Sequence, residues 1–110
     1  MTRQKLANRR ASETFVIEAQ GLRYTATASW FDDGRLGELF LSNYKSNSAS
    51  DTNARDSAIV LSIALQHGAD AEAIRQTLCR DGQGRASGPL GVALDVAAIK
   101  PAMATCRCMM

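Results

Sequence analysis

The ten residues LRYTATASWF, Leu22 to Phe31, decide the fold class of this chain, because apolar and polar side chains alternate along them. The apolar set is Leu22, Tyr24, Ala26, Ala28 and Trp30. The polar set is Arg23, Thr25, Thr27 and Ser29. Successive side chains of a strand point to opposite faces, so this period of two predicts a half-buried β-strand. We expect helices to cover the apolar face and the polar face to look outward.

Two flanking segments extend this strand into a sheet. The alternating ETFVIEAQ, Glu13 to Gln20, precedes it, and LGELFLSN, Leu36 to Asn43, follows it. Gly21 marks the first turn and the DDG of Asp32 to Gly34 the second, since glycine adopts positive φ without a steric penalty. The segments therefore predict a three-stranded antiparallel meander.

The second half of the chain predicts helices. A first helix from about Asn53, capped by Asp51 or Thr52 and closed by His67 and Gly68, has a wide apolar face. That face includes Ile59, Leu61, Ile63 and Leu65. Asp70 caps a second helix. A third helix begins near Pro89, because an N–H in the first helical turn has no partner within the helix and proline therefore loses no hydrogen bond there. Strands followed by helices predict an α+β fold: a three-stranded antiparallel meander, then three helices packed on one face.

Composition limits the classes of function. A length of 110 residues predicts one domain, with a basic N-terminal arm at 1–10, the α+β domain at 11–98 and a disordered tail at 99–110. The net charge of +2 gives no electrostatic ground for a nucleic-acid partner. The N-terminal residues lack the apolar stretch of a secretory signal, and no apolar run suits a membrane span. The odd cysteine count, three, predicts a reducing cytoplasm.

The glycine-rich GRASGPLGVALD, Gly84 to Asp95, predicts the strongest candidate site. Ser87 or Gly88 caps the third helix, whose first amides and positive dipole end could hold an anion. Two nearby arginines could add charge-assisted contacts. The predicted anion or nucleotide site is Arg80, Arg85, Ser87, Gly88 and Gly91. A plain capped helix start is the favoured interpretation of this segment and anion binding the alternative, because the pattern matches neither a P-loop nor a dinucleotide fingerprint.

No metal site is predicted from the cysteines. Cys106 and Cys108 form a close pair that could hold a soft ion such as Cu(I), but free tail thiols are the simpler interpretation. A zinc site would need two further ligands, and neither His67 nor Cys79 has a spacing that supplies one. Cys79, at the end of the second helix, is predicted to be a small buried apolar residue.

Glu38 and Arg55 are predicted to serve structural ion pairing. Glu38 lies mid-strand and, if covered, needs a cation, for which Arg23, Arg35 and Arg55 are the candidates. A small enzyme using Glu38 or His67 is a further hypothesis, but no acid–base pair or nucleophile can be named. No catalytic residue is therefore predicted.

Taken together, several stretches resemble the TSCPD domain, a module at the C-terminus of adenosylcobalamin-dependent (class II) ribonucleotide reductases and also a short stand-alone chain. The matching stretches are Asn8 to Arg10, Glu13 to Phe15, Gly21 to Asn43, Ala54 to Gly68 and Ser87 to Asp95. The resemblance covers roughly residues 7 to 98. Of the Thr-Ser-Cys-Pro-Asp motif only the serine and proline remain, because this chain has Ala86-Ser87-Gly88-Pro89-Leu90.

The resemblance implies a function associated with ribonucleotide reductase and DNA precursor synthesis. Reductase chemistry needs a large barrel and a bound cobalamin, so adenosylcobalamin belongs to the full-length enzymes and no cofactor is expected in this chain. We expect a non-catalytic accessory or nucleotide-binding module whose partner is a reductase subunit or a second copy of itself. The alternative is an oligomeric interaction protein whose third strand pairs at an open sheet edge, with Leu39, Phe40 and Leu41 at the contact.

Overall fold

The computed structural model describes residues 2–45 and 48–98 and confirms the α+β fold. Three strands, β1 (Ala11–Ala19), β2 (Leu22–Trp30) and β3 (Leu36–Asn43), form an antiparallel sheet in the order β1-β2-β3. Three helices follow: α1 (Ala49–Gln66), α2 (Ala71–Thr77) and α3 (89–98). Strands and helices appear in the order that the alternation and the caps predict.

The two predicted turns form for the predicted reason. Ala19 pairs with Leu22, so Gln20 and Gly21 make a two-residue hairpin loop in which both residues have positive φ, 54° and 77°. These angles suit the right-handed twist of the strands. Gly34, with φ of 90°, closes the second turn.

Helix α1 begins one turn earlier than predicted. Its N-cap is Ser48, whose hydroxyl accepts a hydrogen bond from the backbone N–H of Asp51. Asp51 is therefore inside the helix, and its carboxylate accepts from the backbone N–H of Asn43 at the end of β3. The predicted caps Asp51 and Thr52 were wrong, because the serine three residues earlier already satisfies the first turn.

The predicted apolar face of α1 was also wrong in half of its members. Leu61 and Leu65 are buried, whereas Ile59 and Ile63 are 48% and 41% exposed. Residues two apart on a helix lie on different faces, so the four cannot share one stripe. Two alanines complete the face that covers the sheet: the buried α1 stripe is Ala54, Ala58, Leu61 and Leu65.

The outer edge of β3 is closed by side chains of α1, so it is not the open edge expected for strand pairing. Ser62 Oγ accepts from the N–H of Leu39 and donates to its carbonyl, at 2.9 and 3.0 Å. Gln66 Nε2 donates to the carbonyl of Gly37. Leu39 and Leu41 are buried, and only Phe40 is exposed. An edge whose polar groups are already paired cannot accept another strand at these positions.

The N-terminal arm lies against this end of the domain. The N–H of Gln4 donates to the carbonyl of Gln66 at 2.7 Å, and the Leu6 side chain packs beside Gly37 and Phe31. The predicted tail at 99–110, with Cys106 and Cys108, lies outside the described residues. Within 2–45 and 48–98, no helix combines the length and the apolar character needed to cross a bilayer.

Candidate functional site

A cleft of about 560 Å³ opens at the end of the domain where α1 and α3 both begin. Its polar lining is Gln20, Tyr24, Ser50, Asn53, Ser57 and Cys79. The rest of the lining is Ala54, Leu78, Gly88, Pro89, Leu90 and Gly91. The cleft thus collects the first turns of two helices, the β1–β2 turn and the end of α2. No charged side chain of the described chain is among these twelve residues.

Helix α3 presents unpaired amides to this cleft. Gly88 is its N-cap residue, because its carbonyl accepts the first helical hydrogen bond, from Val92 N–H at 3.1 Å. Pro89 has no N–H, so the first available donors are the amides of Leu90 and Gly91. Among the described residues no acceptor bonds either amide, and both residues line the cleft. The prediction that Ser87 or Gly88 caps this helix is confirmed for Gly88.

Tyr24 forms part of the cleft floor and is only 1% exposed. It lies on the inner face of β2, in register with Ile17 of β1 and Asn43 of β3. Its hydroxyl makes no hydrogen bond with any residue of the described chain. The hydroxyl is not fully enclosed, so this group is available to whatever enters the cleft.

Arg80 is not among the residues that line the cleft. Its guanidinium donates to both carboxylate oxygens of Asp95 on α3, at 2.8 and 3.1 Å, and to the carbonyls of Gly84 and Arg75. Arg75 adds a second bond to Asp95 at 3.0 Å. The hydrogen bonds from Arg80, with Arg75 next, hold the pKa of Asp95 below its usual value. Arg80 therefore acts as a structural clamp between α3 and the loop that precedes it.

Arg85 and Ser87 lie on a different surface from the cleft. They line a separate groove with Asp81 and Asp95, where Arg85 pairs with Asp81 at 3.3 Å and stays largely exposed. The backbone N–H of Arg85 holds the pKa of Asp81 below its usual value. Sequence proximity suggested one site. The hairpin bridge between Arg80 and Ala86 instead turns these side chains away from the first turn of α3.

The two predicted glycines differ in role. Gly88 has open space where a Cβ would lie. A Cβ on Gly91 would come within 3.0 Å of the Ala86 Cβ, so Gly91 permits α3 to pack closely on the hairpin. Both line the cleft, and whether they bind a ligand stays a prediction.

Glu38 and Arg55 each have a different partner from those predicted. Glu38 pairs with Arg10 at 2.9 Å, and Arg55 pairs with Asp51 at 2.8 Å. Glu38 lies on the outer face, opposite Ser29 of β2, and Ser29 is opposite Ser12 of β1. A residue just before β1 therefore reaches Glu38 across β2. This register could not be known from the sequence.

The backbone N–H of Asn43 donates to the Asp51 carboxylate and holds its pKa below the usual value, and the Arg55 guanidinium adds a smaller effect in the same direction. The buried Asp51 carboxylate thus anchors the start of α1 to the end of β3. Arg55 therefore forms an ion pair, but its partner is Asp51 and not Glu38.

Cys79 is exposed on the wall of the cleft and was wrongly predicted to be buried. The short α2 ends at Thr77, two residues before it, so Cys79 is not held on a core-facing helical turn. Within the described residues no group of three or more His, Cys, Asp or Glu side chains is placed to hold a metal.

The sequence reasoning missed the α1 side of the cleft. Asn53 and Ser57, one helical turn apart, line it beside the buried Ala54. The sequence did contain a pattern that could have indicated these residues: small polar side chains at positions 50, 53 and 57 run alongside the alanine stripe. Without the helix packing, nothing indicated that this flank faces α3.

Comparison with known proteins gives one informative match. No protein-family model matches the chain, and no solved structure matches it. Over 70 residues, 64% of its length, it is 34% identical to the vitamin B12-dependent ribonucleotide reductase of Agrobacterium fabrum. The chain is similar to part of a ribonucleotide reductase. It spans 6% of that relative's length, so the reductase activity is a property of the relative.

Proposed function

We propose that this chain is a non-catalytic accessory module of the TSCPD type that docks on a vitamin B12-dependent ribonucleotide reductase. The similarity to a short segment of such an enzyme supports the choice of partner. Because Arg80 and Arg85 are paired with carboxylates, an arginine-based nucleotide site is not the basis of this proposal.

The observation that carries the proposal is an exposed apolar surface on one flank, formed by Phe40, Ile59, Val60 and Ile63. These side chains are 48%, 48%, 67% and 41% exposed. Phe40 and Ile59 line one groove between the outer face of the sheet and α1, and the other two residues continue along α1. Large exposed apolar patches on small domains usually mark contact surfaces for other proteins.

The test is association with a purified vitamin B12-dependent reductase, followed by sedimentation velocity, with reductase turnover recorded in the same samples. We expect a complex with the unaltered chain and at least about a tenfold loss of affinity for Ile59→Arg, because a charge would be buried at the contact. Gln83→Arg is the matched control, since it adds the same charge at an exposed hairpin position. Equal binding by both variants, or no complex at all, would refute the docking proposal.

A homodimer through the same apolar surface is the second candidate, favoured by the exposure of Ile59 and Val60. Light scattering of the chain alone distinguishes the two. A dimer that Ile59→Arg converts to a monomer would support self-association, whereas a monomeric mass at high concentration would exclude it.

A further inference from the structure

We propose that the cleft between α1 and the first turn of α3 binds a small organic anion with one oxyanion group, phosphate or carboxylate, on a hydroxyl-bearing body. This goes beyond the accessory role, which depends on the apolar surface of Phe40 and Ile59. It also moves the anion site away from the two arginines to which the sequence pointed.

The oxyanion would bind at the start of α3. Leu90 and Gly91 line the cleft, and their amides have no acceptor in the described chain. Ten described residues, 89–98, form this helix, so its aligned peptide dipoles place positive potential at this end. Among the described lining residues there is no charged side chain, so the free amides at this helix end favour an anion.

Tyr24 is the independent observation that points to a ligand. The residue is 99% buried as a whole, since its exposed fraction is 1%, yet it lines the cleft and its hydroxyl has no partner among the described residues. The hydroxyl is not one of the fully enclosed unpaired atoms of the described chain, so it remains accessible for hydrogen bonding. A ligand hydroxyl or oxyanion oxygen in the cleft would provide the missing hydrogen bond.

The remaining lining suits a body of modest size with hydrogen-bonding groups. Asn53 and Ser57 present an amide and a hydroxyl from α1, while Leu78 and Pro89 supply apolar contacts on the facing wall. The volume, about 560 Å³, lies within the range of small-molecule sites, roughly 300–1,000 Å³. Hydroxyl-bearing compounds match this mixed lining better than purely apolar ones.

Alkylation of Cys79 reports occupancy directly, because this thiol is exposed on the cleft wall. The background is Cys106→Ser with Cys108→Ser, so that the labelling reports Cys79 alone. The probes are ribose 5-phosphate, gluconate and ribose, each at millimolar concentration. Ribose 5-phosphate and gluconate present a phosphate and a carboxylate, and ribose is the uncharged control. We expect one or both anions to slow iodoacetamide labelling and ribose to have no effect.

Tyr24→Phe tests the role of the hydroxyl, with Tyr44→Phe as the matched control because Tyr44 is 73% exposed and outside the cleft. We expect Tyr24→Phe to weaken binding of the protecting anion by about three- to tenfold, the loss typical of one hydrogen bond. The thermal midpoint without ligand should not fall, since the variant removes an unpaired group. Tyr44→Phe should bind like the unaltered chain.

Three results would overturn the inference. Protection by neither anion would remove the site, and equal protection by ribose would show that the α3 amides do not select charge. Unchanged affinity in Tyr24→Phe would exclude its hydroxyl from recognition. Association with the reductase is measured separately, so failure here leaves the docking proposal standing, and the reverse holds as well.

Discussion

Replacing Ser62 by alanine tests whether α1 closes the sheet edge. The Ser62 hydroxyl bonds both the N–H and the carbonyl of Leu39, and both residues are buried. Its removal leaves two backbone groups unpaired, at about 1–3 kcal/mol for a buried polar group. Alanine returns about 0.5 kcal/mol through its higher helix propensity. We therefore expect Ser62→Ala to lower the free energy of unfolding by at least about 1.5 kcal/mol.

Ser57→Ala is the matched control on the same helix. The Ser57 hydroxyl donates only to the carbonyl of Ala54, one turn earlier, so its loss leaves no strand group unpaired and the helix-propensity gain is shared by both variants. Urea unfolding at constant m-value measures the two free energies. If Ser62→Ala differs from Ser57→Ala by less than about 0.5 kcal/mol, the hydroxyl is not what satisfies the β3 edge, and the reasoning fails.

Two further predictions concern acid stability and the arm. Arg80 and Arg75 lower the pKa of Asp95 in the folded state, so the stability they provide is present above the unfolded pKa and is lost as pH falls through the folded one. Asp95→Asn should therefore have a lower thermal midpoint at pH 7, and the difference from the unaltered chain should shrink below about pH 4; a constant difference would contradict this. Gly37→Ala places a Cβ 2.8 Å from the Phe31 ring and 2.9 Å from Leu6, so we expect a loss of about 1–2 kcal/mol and faster trypsin cleavage in the arm. Unchanged cleavage in a destabilised variant would show that Leu6 does not hold the arm.

The sheet was predictable because its signals are local. Alternation along Leu22 to Trp30 and the glycine turns on either side depend on residues a few positions apart, and the strands formed where these signals lie. The Asp70 cap and the Pro89 helix start were predictable for the same reason. The start of α1 was missed because two adjacent residues, Asp51 and Thr52, looked like caps as good as Ser48.

The candidate site was only partly predictable. The first turn of α3 was recognised from Gly88 to Gly91, but charge partners were assigned by closeness in sequence. Arg80 turned out to pair with Asp95, fifteen residues away, and Glu38 with Arg10, twenty-eight residues away. Pairing between distant side chains depends on strand register and helix packing, which no local pattern encodes.

By itself the sequence determined the element types, their order and the inner face of the sheet, since backbone geometry makes side-chain periodicity a direct record of local structure. Only the tertiary structure decided which helix flank became solvent-exposed, which side chains closed the β3 edge and which groups met in the cleft. Tyr24, Asn53 and Leu90 come from three separate elements. Their proximity follows from how the helices pack on the sheet, and that packing is a property of the whole chain.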